Sequence, residues 1–113
     1  MSESIKETIS EEIIFQLISY SGDARSLIYE AFNLVAQGKC EEAEEVLNRA
    51  DESIIKAHNL QTKLIQDEAS GKVHEINLLA LHSQDHLMTT LLAKEIMGYM
   101  ISMQKQINGL KEN

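Results

Sequence analysis

Three long segments of the chain carry apolar residues every three or four positions, and the sequence contains no proline to interrupt them. This spacing places apolar side chains along one face of an α-helix. Composition agrees, because Ala, Leu, Ile, Glu, Gln and Lys abound and these residues lose little freedom in a helix. We therefore expect a single all-α domain over residues 1–113, an antiparallel three-helix bundle with an ordered core of roughly residues 10–107.

Capping residues set the expected limits of the first helix. Thr8 and Glu11 have the spacing of a capping box, so the helix should start near Thr8 or Ser10. Gln37-Gly38 should end it, because glycine adopts the left-handed cap conformation without a clash. The turn that follows is very short, and a turn of that length forces the second helix to run antiparallel to the first.

The second helix should end at residues 67–72, which have the polar composition of a loop. The third helix is then expected from about Val73 to Ile107, with residues 108–113 as a fraying end.

The third helix is unusual in having nearly two apolar faces. At about 100° per residue, one side holds Ile76, Leu79, Leu87, Leu91, Met97 and Ile101. A second stripe holds Leu78, His82, Asp85, Thr89, Leu92, Ala93, Ile96, Met100 and Met103. A narrow strip suited to water runs through Asn77, Gln84, Glu95 and Ser102. A helix in a monomeric bundle needs one apolar face, so the second predicts oligomerisation through this helix. A broad core face inside a monomer is the competing interpretation.

Charge and hydropathy exclude several classes of protein. The formal net charge of −8 argues against nucleic-acid binding, which needs clustered cationic side chains, and suits partners with basic surfaces. No apolar run reaches the roughly 18 residues typical of a membrane span. The first residues lack the pattern of a signal peptide, so we expect a cytoplasmic protein. The single Cys40 is followed by acidic residues and is given no role.

His82, Asp85 and His86 are titratable groups on an otherwise apolar helix, and three interpretations compete. His82 and His86 have the spacing of a helical zinc pair, as in a zinc hydrolase, but a third ligand would be needed. They fit equally well as structural histidines in a non-catalytic helical oligomer or adaptor, with Asp85 as acceptor. His82 is also suited to accept a phosphoryl group as a nucleophile, with Gln84 and His86 among nearby donors. Spacing alone does not choose among these.

Two residues outside this helix, His58 and Arg25, also have side chains that can bind or carry charge. His58 falls on the buried stripe expected for the second helix and is interpreted mainly as a structural residue. Arg25, beside Asp23, is interpreted as one half of a solvated surface pair.

The run from Leu81 to Thr90 closely resembles the signature of the enzyme IIA component of the lactose/cellobiose (N,N'-diacetylchitobiose) class of the bacterial sugar phosphotransferase system. Residues 21–26 resemble the first-helix segment of that family, and residues 57–65 resemble its second-helix segment. The similarity spans roughly residues 10–107. Ser83 stands where lactose-type members often carry Gly and others Ala, and Ala93-Lys94-Glu95 is more similar to the cellobiose/chitobiose side. The resemblance therefore favours a β-glucoside or cellobiose-type sugar over lactose.

The resemblance implies a phosphotransferase component that assembles as a homotrimer, a nine-helix assembly around the third helices. It implies that His82 accepts a phosphoryl group from the histidine phosphocarrier protein and passes it to a cysteine of enzyme IIB, and through it serves enzyme IIC. Gln84 and His86 would be supporting donors. Asp85 from each subunit would bind a divalent cation, taken as Mg2+, on the threefold axis, which suits oxygen ligands.

Overall fold

The computed structural model describes residues 7–72 and 74–112, and almost all of them are helical. The elements in chain order are β1 (Glu7–Thr8), α1 (Glu11–Ala36), α2 (Cys40–Ala69), β2 (His74–Glu75) and α3 (Leu78–Glu112). The expected three-helix architecture is confirmed.

The core contacts give the directions of the three helices. One cluster joins Leu17 of α1 to Ala57 and Leu87. A later cluster along α1 joins Val35 to an earlier part of α2 and to Ile101 of α3. Position along α1 therefore rises with position along α3 and falls along α2, so α1 and α3 are parallel and α2 is antiparallel to both.

Strands β1 and β2 were not predicted from the sequence. They pair in parallel, with Glu7 opposite His74 and Thr8 opposite Glu75. Each strand lies a few residues before one of the two parallel helices, which explains why the pair is parallel. A strand of two residues shows no alternation of side chains along the sequence, so the pattern that would reveal it is missing.

The start of α1 differs from the expected capping box. Thr8 belongs to β1, and the N-cap is Ser10, whose Oγ accepts a hydrogen bond from the Ile13 N–H at 3.3 Å. The predicted pairing of Thr8 with Glu11 is therefore wrong, whereas the predicted start near Ser10 is confirmed.

The end of α1 follows the prediction. Gly38 has a φ of 80°, and its N–H donates to the Val35 carbonyl at 2.9 Å. The Lys39 N–H donates to the Leu34 carbonyl at 2.8 Å. These two bonds form a Schellman motif, which needs a left-handed residue and therefore favours glycine. The motif leaves three residues between α1 and α2 and so makes them antiparallel neighbours.

Both ends of α3 differ from the prediction. Asn77 Oδ1 accepts a hydrogen bond from the Ala80 N–H at 2.8 Å, so the helix begins at Leu78 and not at residue 73. Residues 108–112 are helical and not frayed. Asn108 Nδ2 donates to the Val35 carbonyl at 2.7 Å and ties this end to the end of α1. Both differences depend on hydrogen bonds that helical periodicity does not reveal.

The core lies along α1, which is packed between α2 and α3. Small residues allow close approach, since Ala24, Ala31, Ala50 and Ala57 have exposed fractions of 1% or less. Helix α3 packs chiefly on α1 and meets α2 at few positions. A cavity of about 410 Å³ therefore opens between the last turns of α2 and the first turns of α3.

The opposite side of α3 is not covered by the described residues of its own chain. We call this surface the exposed stripe of α3; it comprises Leu78, Leu92, Ile96, Met100, Met103, Ile107 and Leu110, with exposed fractions from 41% to 82%. Leu87, Met97 and Ile101 on the other side are buried, as predicted. Ile76 and Leu79 are exposed, because Ile76 precedes the helix and Leu79 lies in its first turn. The second apolar face predicted from the sequence is thus present and uncovered in a single chain.

Within the described residues, none of the helices combines the length and the apolar character that a membrane span requires.

Candidate functional site

His82 lies in the second turn of α3, and its side chain is exposed. The structure shows no hydrogen bond to its ring from any described residue. Its neighbour is the ring of His86, one helical turn later, with ring centroids 4.6 Å apart in an edge-to-face arrangement. The ring nitrogens of His82 are therefore free to react with a partner at the surface.

His86 is half-buried and differs from His82 in its surroundings. Its Nδ1 atom is buried and has no hydrogen-bond partner among the described residues. Burial lowers the pKa of His86, and the nearby His82 and Arg25 lower it further, while Asp85 raises it. The net lowering favours a neutral His86 ring at neutral pH, and a neutral imidazole has one donor and one acceptor nitrogen.

Arg25 of α1 reaches this part of α3, which sequence reasoning missed. Its Nη2 donates to the His86 carbonyl at 3.3 Å and also to Thr89 Oγ1. The expected ion pair with Asp23 is not formed among the described residues. The sequence did contain a signal, since Arg25 lies four residues after Ser21 and three before Ile28, both of them buried. An arginine so close to a buried helix face needs a partner on another helix.

Gln84 is held on a different side of α3 from His82. Its Oε1 accepts a hydrogen bond from Gln61 Nε2 of α2 at 2.7 Å, and the side chain is half-buried. Its expected place in a strip facing water is therefore wrong. Residues two apart on a helix do not face each other, so within one chain the structure does not bring Gln84 to His82.

The threonines of this segment are already hydrogen-bonded. Thr90 is buried, and its Oγ1 donates to the Ser21 carbonyl of α1 at 3.1 Å. Thr89 Oγ1 donates to the Asp85 carbonyl at 2.6 Å. Each hydroxyl has one proton to donate, so neither threonine is a free donor for a group on His82.

Ser83 faces the core next to these residues. It is 1% exposed, and its Oγ donates to the Ala80 carbonyl of its own helix at 2.6 Å. The position thus holds a small side chain in close packing. Gly and Ala, the residues that the family resemblance associates with this position, are equally small.

Asp85 is exposed and in register with the exposed stripe of α3, seven residues after Leu78 and seven before Leu92. No described cationic side chain forms an ion pair with it. Within the described residues, no group of three or more His, Cys, Asp or Glu side chains in one chain is arranged to hold a metal ion, so the zinc interpretation finds no third ligand there. A carboxylate that is exposed and not paired with a cation fits an oxygen-ligand site for a hard cation such as Mg2+ if several copies contribute one each.

The other two histidines belong to other elements, His58 to α2 and His74 to β2. His58 is exposed on α2, next to the buried Ala57. Its expected burial is wrong, because one step along a helix turns a side chain by about 100° out of the packed face. The side chain of His74 is outside the described residues.

Comparisons with known proteins identify the family of the chain. A sequence profile described as "PTS system, Lactose/Cellobiose specific IIA subunit" matches residues 12–105. The lactose-specific EIIA component of Streptococcus mutans is 42% identical over 92 residues, which are 81% of this chain and 88% of the relative.

Two solved structures are also similar. The PTS cellobiose-specific enzyme IIA from Bacillus anthracis has 45% identity and a TM-score of 0.85, over 90% of this chain and 94% of that chain. The IIA(Chitobiose)–HPr complex of the N,N'-diacetylchitobiose branch of the Escherichia coli phosphotransferase system contains a chain with 36% identity and a TM-score of 0.74, over 87% of this chain and 95% of that one.

The profile covers most of the three helices and includes the whole segment around His82. The similar proteins match over nearly their full length and share the fold. The chain therefore belongs to the lactose/cellobiose-specific IIA subunit family of the phosphotransferase system, and it is a phosphotransferase component of that system.

Proposed function

We propose that the protein is a cytoplasmic phosphohistidine carrier in which His82 accepts a phosphoryl group from the histidine phosphocarrier protein and passes it to a cysteine of enzyme IIB. The relay would serve uptake through enzyme IIC of a β-glucoside or cellobiose-type disaccharide, or of a lactose-type one. One observation supports this most: in a chain of the IIA family, the His82 ring is exposed and makes no hydrogen bond to a described residue. The family assignment favours this relay over a non-catalytic adaptor with structural histidines.

The chemistry needs little more than an accessible neutral imidazole. A ring nitrogen of His82 forms a bond to phosphorus as the nitrogen–phosphorus bond of the donor breaks, and the released donor ring takes up the proton that His82 loses. In the second step a cysteine thiolate of enzyme IIB attacks the same phosphorus and the His82 ring leaves. An exposed ring suits both steps, because two different proteins must reach it.

The donor is supported by charge and by one similar structure. The chain has a formal net charge of −8, which favours association with a protein that presents basic surface. A similar chain from Escherichia coli has been solved in complex with HPr, a histidine phosphocarrier protein. The proposal extends that type of partner to this chain.

The exposed stripe of α3 supports a homotrimer, as a nine-helix assembly around three copies of α3. Thr89, Ile96, Met103 and Leu110 repeat at intervals of seven residues, as do Leu78, Asp85 and Leu92. Together they give the average spacing of 3.5 residues that packing between supercoiled helices requires. Side chains as exposed as Leu78 (82%) and Leu110 (75%) gain most from such cover.

Asp85 is the proposed metal ligand of this assembly, with one carboxylate from each copy. Three carboxylates brought together would repel one another, and a bound Mg2+ would supply the charge that offsets the repulsion. His86 is the supporting donor closest to His82 within one chain. Gln84 is bonded to Gln61 on another side of α3, so the contacts within one chain do not support it as a donor to His82.

Phosphorylation in a reconstituted system tests the function. The wild type is incubated with phosphoenolpyruvate, enzyme I and the histidine phosphocarrier protein, and its intact mass is followed. We expect the mass to rise by one phosphoryl group per chain, His82→Gln to abolish the rise, and His58→Gln, a change at an exposed histidine of α2, to leave it unchanged. Full phosphorylation of a folded His82→Gln variant would contradict the proposal.

A further inference from the structure

The guanidinium of Arg25 is only partly satisfied by the contacts that it makes. It lies half-buried on α1 and donates through Nη2 to the His86 carbonyl and to Thr89 Oγ1 of α3. Its Nε atom is buried and has no hydrogen-bond partner among the described residues. No carboxylate of the described residues forms an ion pair with the guanidinium.

Such an arrangement costs stability. A buried N–H without an acceptor keeps the penalty of losing water, and a partly buried charge without a counter-charge adds to it. Elsewhere on the bundle a cation of α3 does have a counter-charge, since Lys94 contacts Asp51 of α2 at 2.6 Å. A partly buried cation without a counter-charge favours the binding of a negatively charged group next to it.

His82 lies one helical turn before the turn that Arg25 binds. Arg25 binds the helical turn of His86 and Thr89, and the His86 ring is in edge-to-face contact with the His82 ring, 4.6 Å between centroids. Side chains on a helix lean towards its N-terminus, so the His86 ring is directed back to His82. Arg25 therefore lies about one helical turn from the phosphoryl acceptor.

We propose that Arg25 is a positioning residue for the relay, whose guanidinium charge favours the phosphorylated form of His82 and whose hydrogen bonds hold the turn that carries His86. This inference rests on the function proposed above. When the phosphoryl group moves from the donor histidine to His82, negative charge arrives beside Arg25. No further reactant is needed, because one nitrogen–phosphorus bond forms as the other breaks.

The charge effect should be measurable as a change in the phosphoryl-exchange equilibrium with the donor. One positive charge about one helical turn from the phosphoryl group, in a partly buried site, should shift the constant for phosphoryl exchange about tenfold. Arg25→Gln keeps hydrogen-bonding capacity but removes the charge, whereas Arg25→Lys keeps the charge but loses the planar fork. Arg49, the other arginine of the chain and exposed on α2, provides the matched control Arg49→Gln.

The experiment mixes each protein with a limiting amount of phosphorylated histidine phosphocarrier protein and measures the phosphorylated fraction of both at equilibrium. Thermal unfolding and sedimentation are recorded in parallel. We expect Arg25→Gln to lower the equilibrium constant about tenfold, Arg25→Lys to stay within about threefold of wild type, and Arg49→Gln to match wild type. Should Arg25→Gln not fold, Arg25→Met, which is similar in size and uncharged, takes its place.

Two results would overturn the role of Arg25. One is an equilibrium constant for the uncharged variant equal to that of wild type. The other is an equal loss in Arg25→Lys and Arg25→Gln that follows their loss of thermal stability, since this would show a structural role alone. Failure of the wild type to be phosphorylated on His82 would instead overturn the proposed function, so the two failures are distinguishable.

Discussion

At the scale of single residues, the site is defined by which polar groups on α3 are left without a partner. Thr90 donates to the Ser21 carbonyl and Gln84 accepts from Gln61, so both are bound to other helices. His82 alone among these candidates projects an exposed ring that no described residue hydrogen-bonds. The proposed phosphoryl acceptor is thus distinguished by its freedom from local hydrogen bonds, and the neighbouring polar residues mainly fix α3 on the bundle.

Substitution of Ser83 tests this packing. Its side chain is 1% exposed and its hydroxyl is bonded to its own helix. We expect Ser83→Leu to lower the free energy of unfolding by about 1–3 kcal/mol through overpacking. Urea unfolding at fixed protein concentration measures the change.

Ser83→Ala is the matched control, since it keeps the small volume. It should change the free energy of unfolding by no more than about 1 kcal/mol. A Ser83→Leu protein as stable as wild type would show that the position has room that the structure does not contain.

The sequence could predict His82, Asp85 and His86 as candidates because their spacing on one helix is visible in the chain. Arg25 was missed because its partners are 61 and 64 residues away, and its place beside the apolar face of α1 was the only signal that it needs one. For the same reason the sequence pattern placed Gln84 in water and His58 in the core. Which polar side chain is already hydrogen-bonded depends on contacts between helices, and a single sequence does not record them.

At the scale of elements, the helices were predictable and their ends only partly so. Gly38 has the local conformation that its residue type favours, so the end of α1 was found. The start of α3 is set by the cap at Asn77, and its last turns are held by Asn108, which binds the carbonyl of Val35 on α1. Several neighbouring polar residues could have capped α3 in place of Asn77, so its start was not evident from the sequence. The bond from Asn108 to Val35 is a tertiary contact, which the sequence does not show.

Asn108→Ala tests the tertiary contact at the end of α3. The change removes the bond to the Val35 carbonyl and the bond from Gln104 Nε2. We expect amide hydrogen exchange to become faster in residues 104–112, corresponding to a loss of about 0.5–1.5 kcal/mol in local stability. Asn48→Ala, at an exposed position of α2, is the control and should leave that segment unchanged. Equal protection of the segment in Asn108→Ala and wild type would show that the end of α3 does not depend on this contact.

At the scale of the whole molecule, the exposed stripe of α3 connects the fold to the proposed assembly. Periodicity predicted a second apolar face, and in one chain that face is uncovered along most of the helix. A sequence shows that such a face needs a partner, but the number of copies around it depends on geometry between chains. The proposal of a trimer therefore rests on the family resemblance together with the heptad spacing of the stripe.

Asp85→Leu separates the metal from the assembly. Three leucines would replace three repelling carboxylates with apolar contact, so we expect the variant to remain a trimer of about three times the 12.7 kDa chain mass. We expect it to lose the bound divalent cation that elemental analysis should find in the wild type. Sedimentation and elemental analysis of the same samples check both parts.

Asp85→Asn, which keeps the shape of the side chain and removes its charge, is the control for metal binding and should also lose the cation. An unchanged metal content in Asp85→Leu would rule out Asp85 as the ligand. A wild-type protein that sediments as a monomer at micromolar concentration would rule out the trimer.

The most direct test of the relay is to locate the phosphoryl group on the chain. Trypsin leaves His74, His82 and His86 together in the peptide of residues 73–94 and places His58 in residues 57–63. The phosphorylated wild type is therefore digested at alkaline pH, and its peptides are fragmented by electron transfer. This fragmentation preserves the phosphorus–nitrogen bond and so identifies the histidine that carries the group. The proposed function predicts that the group lies on His82 and that it disappears from this peptide when enzyme IIB is added. A phosphoryl group on His86 or His58, with His82 unmodified, would contradict it.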